Sequence, residues 1–227
     1  MNFLLVLLLF TVCLANVVPL TNDNFDKYIK KSPVPVFVKF FSPGCPHCVS
    51  IAGTYTNLAK AFSTIARIAE VNCQSDNQLC GKYQIQGVPS FKLFYGSQNK
   101  KVADYQGARE GKAMANFISK KLPTKYILPL EEDTLPVIKA SEQPSFVLFS
   151  SKQTPPAVLK SLSLEFRRQA AFYFSSGSDL LKDVVGDKPL PAIVYMFENE
   201  VVVMEKEVST KNLSAFVREM LNSVGEL

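Results

Sequence analysis

The stretch Val36-Phe37-Val38-Lys39-Phe40-Phe41-Ser42-Pro43-Gly44-Cys45-Pro46-His47-Cys48 decides how the chain is read. Val34–Phe41 is β-rich and uncharged except for Lys39, the pattern of a strand buried on both faces. A helix is expected directly after the cysteines, running to about Phe62, because Ile51, Tyr55, Leu58, Ala59 and Phe62 recur at helical spacing. Cys45 and Cys48 can reach each other only if the chain turns tightly, as in the first turn of a helix. Pro46 suits the first helical position, where its missing N–H costs little. The unpaired N–H groups and partial positive charge of a helix start favour thiolate at Cys45, so its pKa should fall below the free value of about 8.5. Thiolate is both the attacking species and the better leaving group in disulfide exchange. Cys48, one turn in, should be more buried and should resolve the mixed disulfide.

His47 is the only histidine in the chain and lies between the two cysteines. Its imidazolium would add positive potential beside Cys45; the plainer alternative is a solvent-facing spacer. Two non-redox readings compete. A zinc site could use Cys45, Cys48, Cys73 and Cys80, but the second pair is too widely spaced for the usual knuckle. A c-type haem site needs histidine after the second cysteine, and Val49 stands there. No metal and no cofactor are therefore expected.

Outward from the motif, 47% hydrophobic and 20% charged residues over 227 positions allow one large or two ordinary packed domains. A net charge of +5 without a basic block gives no footprint for nucleic acid. Phe3 to Leu14 is charge-free and has the length of a signal-peptide core, with small residues at Cys13 and Ala15. Cleavage is expected after Ala15; a signal anchor is the rival, although Asn16 and Pro19 interrupt the apolar run. Export would leave Cys45, Cys48, Cys73 and Cys80, an even set in an oxidising compartment.

The remaining pattern falls into two halves. In the first, Thr21 is expected to cap a helix Asn22–Lys31. A strand Ile65–Val71, a short helix Asn77–Tyr83, a hairpin of Phe91–Tyr95 and Lys101–Tyr105 around Gly96-Ser97-Gln98-Asn99, and a helix Glu110–Leu122 follow. Lys120-Lys121-Leu122-Pro123-Thr124 is the candidate linker. The second half should supply strands Phe146–Phe149 and Ala171–Phe174, and a hairpin of Ala192–Phe197 and Val201–Glu205. Its expected helices are Pro155–Arg168, Ser178–Val185 and Asn212–Asn222. Both halves read β-α-β-α-β-β-α, an α/β class with a mixed sheet covered by helices. The second half has no cysteine.

Four ordered motifs carry a resemblance. They are Val17-Val18-Pro19-Leu20-Thr21-Asn22-Asp23-Asn24-Phe25, the strand and cysteine motif, Gly87-Val88-Pro89-Ser90-Phe91-Lys92-Leu93-Phe94, and Tyr105-Gln106-Gly107-Ala108-Arg109. Together they resemble the catalytic domain of the protein disulfide isomerase family. The second half resembles the family's non-catalytic thioredoxin-like domain more weakly, through strand order and Lys188-Pro189-Leu190-Pro191-Ala192-Ile193-Val194. The resemblance implies two thioredoxin-like domains, each a mixed central sheet flanked by helices, at 16–122 and 123–227 behind a signal peptide at 1–15. It implies a cis-proline at Pro89, with Val88 beside it contacting an extended substrate strand. The alternative for these residues is a turn before a strand. It also implies that Arg109 is a mobile arginine that assists deprotonation of the second cysteine, against a plain surface charge. Some family members carry a cysteine pair where Cys73 and Cys80 stand, so these are taken as a structural disulfide.

The departures from the family are informative. Gly44 replaces the usual tryptophan before the first cysteine, and the chain has no tryptophan at all. Gly53 stands where the family has a mid-helix proline. Cys-Pro-His-Cys with Val88 before the proline resembles the bacterial oxidant DsbA, whose attacking cysteine has a pKa of about 3.5. Lys39 replaces the family's buried acid. A cation there would stabilise thiolate and the reduced form, unless it snorkels out to water.

The implied activity is thiol–disulfide oxidoreduction on reduced or misfolded secretory proteins, biased to oxidation, with an upstream oxidant or glutathione as redox partner. The rival is a redox-silent chaperone or adaptor with a structural cysteine pair. The endoplasmic reticulum lumen is the implied address, with secretion as the alternative, although Glu226-Leu227 matches only the end of a retention signal. Asn212-Leu213-Ser214 is a glycosylation acceptor motif.

Overall fold

The computed structural model describes residues 17–96, 101–177 and 179–224. The expected signal peptide, the tip of the first hairpin at Ser97–Asn99 and the terminal Glu226-Leu227 lie outside the described residues. Among the described residues no helix is long and apolar enough to cross a membrane.

The first half runs β1 (Val18–Leu20), α1 (Phe25–Lys31), β2 (Val36–Phe41), α2 (Pro46–Phe62), β3 (Arg67–Asn72), α3 (Asn77–Lys82), β4 (Ser90–Phe94), β5 (Val102–Tyr105) and α4 (Gly111–Lys121). The second half repeats the order: β6 (Leu128–Pro129), α5 (Thr134–Lys139), β7 (Ser145–Phe149), α6 (Ala157–Glu165), β8 (Ala171–Ser175), α7 (Asp179–Val185), β9 (Ala192–Phe197), β10 (Glu200–Val203) and α8 (Thr210–Val224). The two five-stranded sheets have the orders β1-β3-β2-β4-β5 and β10-β9-β7-β8-β6. In each, the central strand pairs parallel on one side and antiparallel on the other, β2 with β3 and β4, β7 with β8 and β9. The expected α/β class with a mixed sheet in each half is what the structure shows.

Burial follows the pleat. On β2, Phe37 packs into the main core while Val36, Val38 and Phe40 pack into a second cluster with Phe25, Leu79 and Phe94. Side chains alternate along a strand, so Lys39 shares the face of Phe37, beneath α2. On β7, Phe146 and Leu148 join the main core, and Val147 and Phe149 pack on the other face. That main core is continuous across both halves. Ser161 on α6 ties it together by donating its hydroxyl to the Ile65 carbonyl at 2.8 Å, a buried bond.

Several elements differ from expectation. Helix α1 begins at Phe25, and Asn24 is its N-cap. Thr21 supplies its backbone there: its carbonyl accepts from Asn24 and Phe25, and its N–H donates to Asn24 Oδ1. The edge strands β1 and β6 and helix α5 were not expected. They are too short for periodicity to show, and Pro136 lies inside α5. Helix α6 starts after Pro155 and Pro156 and stops at Glu165, short of the expected Arg168. The second hairpin turns through Glu198 and Asn199 at φ 50 and 67, the left-handed pair that a two-residue hairpin loop needs. Gly96 opens the first hairpin turn at φ +65, where a Cβ would lie 2.6 Å from the Ser32 carbonyl oxygen. Only glycine fits there.

Candidate active site at the Cys45–Cys48 turn

Where β2 ends, the chain folds back on itself: Cys45 donates its N–H to the Ser42 carbonyl at 3.1 Å. Cys45 is the N-cap of α2, in extended conformation at φ −85 and ψ 115, and Pro46 occupies the first helical turn. The Cys48 N–H donates to Cys45 Sγ at 3.3 Å. A sulfur thus fills the place that a serine or aspartate oxygen holds in an ordinary cap. No acidic residue lies in the first turn to offset the positive helix end.

The two thiols diverge in acidity. The Cys45 thiol is lowered below its ordinary value, first by the hydrogen bond with the Cys48 thiol, then by the backbone N–H groups of Cys48 and His47 and the charge of Arg109, against a burial effect that raises it. The Cys48 thiol is raised, chiefly by burial, then by its bond to Cys45 and the charge of Cys45; the Ser42 backbone and Lys39 oppose this. Cys48 is 4% exposed, while Cys45 is half-buried and reachable from solvent. Both are free thiols in this structure. The arrangement suits attack by the outer sulfur and resolution by the inner one.

Across from the motif, the Val88–Pro89 peptide bond is cis. The Cys45 thiol donates to the Val88 carbonyl oxygen at 3.5 Å. A groove of about 520 Å³ runs past Val88 and Pro89, lined also by Gln84, Gln86, Gln106 and Arg109 among others. His47 is exposed, and its backbone N–H is what acts on Cys45. Arg109 is exposed as well; its charge bears on Cys45, whereas the resemblance assigns it to Cys48. Val49, which in the sequence serves only to exclude a haem site, is an exposed apolar side chain (64%) one turn behind Cys45.

Lys39 does not snorkel to water. Its side chain is 5% exposed, and its Nζ pairs with Glu70 Oε2 at 2.8 Å. The same Nζ lies 4.9 Å from the ring centres of both Phe41 and Tyr55. Nothing local in the sequence marks Glu70, whose importance depends on strand register, Lys39 opposite Glu70 in the β2–β3 pairing. Cys73 and Cys80 are joined by a disulfide with a Cα–Cα distance of 5.7 Å, which removes two members of the alternative zinc set. Among the described residues no group of three or more His, Cys, Asp or Glu is placed to hold a metal.

Residues 16–120 match the thioredoxin family. A protein disulfide-isomerase A6 homolog from Drosophila melanogaster is 38% identical over 99 residues, covering 44% of this chain and 23% of that protein. A thioredoxin domain-containing protein of Schizosaccharomyces pombe, named as mitochondrial, is 34% identical over 159 residues, 67% of this chain and 44% of its own length. The chain therefore spans less than half the length of these curated relatives. The crystal structure of ERdj5 form II superposes at a TM-score of 0.61 and 15% identity over 92% of this chain and 30% of that one, which speaks to the fold of both halves. Both sheets thus have the thioredoxin-like fold, and the chain is similar to protein disulfide-isomerases, its residues 16–120 matching the thioredoxin family.

Proposed function

We propose that the chain is a thiol–disulfide oxidoreductase that forms or rearranges disulfides in secretory-pathway proteins, biased to oxidation. The observation that carries this is the pairing of a half-exposed Cys45 capping α2, its thiol made acidic, with a buried Cys48 whose thiol is not. In the oxidising direction a client thiolate attacks Cys45 of the Cys45–Cys48 disulfide. Cys48 leaves as thiolate and takes up a proton. A second client thiolate then attacks the client's sulfur in the mixed disulfide, and Cys45 leaves with its electron pair. The client loses two electrons, the motif gains two, and an upstream oxidant or glutathione disulfide restores it. For rearrangement, Cys45 thiolate attacks a wrong client disulfide and Cys48 releases the client if no better pairing forms.

In this reading Pro46 sets the helix start, His47 and Arg109 favour thiolate at Cys45, Lys39 favours it at Cys48, and Val88 with Pro89 receives an extended client segment. Cys73–Cys80 is structural. We place the division between domains at residues 122 and 123, after α4 and ahead of β6. The second domain, lacking cysteine, takes no part in exchange. We take the endoplasmic reticulum lumen as the site of action, with secretion as the alternative; the mitochondrial name of one relative makes a targeting assay worthwhile.

The test is oxidative refolding of a reduced client with the parent and with Cys45→Ser/Cys48→Ser. Loss of refolding in the variant is expected; equal refolding would turn the assignment to a redox-silent chaperone. Equilibration with glutathione checks the oxidising bias, which fails if the potential is near the −270 mV of thioredoxin.

A further inference from the structure

Ser214 carries the one buried side-chain polar atom without a hydrogen-bond partner among the described residues. It is 4% exposed on α8, between the buried Leu213 and Phe216. The other buried serines are all engaged: the hydroxyls of Ser32, Ser145, Ser161 and Ser163 donate to carbonyls, and that of Ser150 accepts from Lys152. An alanine at 214 would fill the same apolar face without stranding a hydroxyl. The folded state therefore gives this oxygen no use, and its use is to be sought before folding.

Two positions earlier stands Asn212, and Asn212-Leu213-Ser214 is the only Asn-x-Ser/Thr in the sequence. An amide nitrogen carries two hydrogens. In Asn212 Nδ2 one is donated to the Glu207 carbonyl at 2.9 Å, which leaves the other for substitution. Asn212 is half-buried at the start of α8, and the next residues on its stripe, Ala215 and Glu219, are exposed. A group added at Nδ2 therefore projects to solvent while the bond to the Glu207 carbonyl survives.

We propose that Asn212 is an N-glycosylation site and that the Ser214 hydroxyl serves it in the unfolded chain. This rests on the lumenal reading given above. The acceptor donor pair is Asn212 and an oligosaccharide carried on a membrane lipid diphosphate. Nδ2 bonds to the anomeric carbon, the carbon–oxygen bond to the diphosphate breaks, the lipid diphosphate leaves with the electron pair, and Nδ2 gives up one proton.

The full chain should be expressed in a eukaryotic secretory host in two arms, with its own N-terminus and behind a heterologous signal peptide, and treated with an N-glycosidase. In the second arm the parent should lose the mass of one glycan. Asn212→Gln and Ser214→Ala should show no such loss, and Ser214→Thr should retain it. Made in bacteria, Ser214→Ala should melt higher than the parent by roughly 2–4 °C. An unshifted parent whose heterologous signal has been removed overturns the proposal, as does a shift that survives in Asn212→Gln. A shift confined to the second arm supports the site and counts against the lumenal reading alone.

Discussion

Lys39 on β2 and Glu70 on β3 stand opposite each other in the parallel register, and their side chains close to 2.8 Å beneath the cysteine helix. The lysine is buried to 5% exposure, while the glutamate reaches 28%. The pair thus resembles a cation sealed inside the fold by a carboxylate at its margin. Removing one partner of such a pair strands a buried charge. Glu70→Gln should cost about 3 kcal/mol of stability, the lower end of the range for buried pairs because Glu70 keeps some water. Lys39→Met should cost less, since Glu70 can turn to solvent. Urea unfolding of the two variants checks the order; equal stabilities would mean that Lys39 is not committed to Glu70.

The Cys73–Cys80 disulfide closes a short loop from the end of β3 into α3. By the loop-entropy model, Cys73→Ser/Cys80→Ser should lose roughly 2.5 kcal/mol. Refolding activity at a temperature where the variant stays folded should match the parent. A loss of activity in the folded variant would give the pair a redox role.

Tyr55 lies fully buried under β2 and β3, its hydroxyl shared between the carbonyls of Phe37 at 2.8 Å and Ala69 at 2.9 Å. Tyr55→Phe should cost about 1–2 kcal/mol. Burial, with the nearby Glu70 charge, holds the phenol's pKa well above its ordinary value. The folded state therefore favours the neutral phenol. This contribution is full below about pH 10, the ordinary phenol value, and is lost as pH rises beyond it. The parent should lose stability more steeply than Tyr55→Phe in that alkaline range, as measured by denaturation at successive pH values.

Gly53 sits inside α2, where an added Cβ would meet nothing within 4 Å. Gly53→Ala should stabilise the protein by about 0.5–1 kcal/mol through helix propensity alone. An unchanged or lowered melting point would show that the helix needs its freedom there.

The sequence made the long elements and the hairpins plain, and hid the two shortest strands and the proline-bearing α5. Strand β2 could be read because apolar residues fill it on both faces, and α2 because its buried residues recur every turn. Strands β1 and β6 are held in place by parallel partners β3 and β8, and nothing within three or two residues announces that. Thr21 looked like a cap because its hydroxyl is the right chemistry, but Asn24 holds the position. At the site, Cys45, Cys48 and the Val88–Pro89 bond came from local motifs. Glu70 and Val49 did not, since one depends on register across a sheet and the other on what fails to cover it.

The central claim is that the cap geometry makes Cys45 acidic while Cys48 stays protected. The rate of alkylation of each cysteine in the reduced protein, followed by peptide mass analysis from pH 3 to 10, tests it most directly. Cys45 should be modified first, with a midpoint below the ordinary thiol value of about 8.5. A midpoint at or above that value, or prior modification of Cys48, would contradict the account.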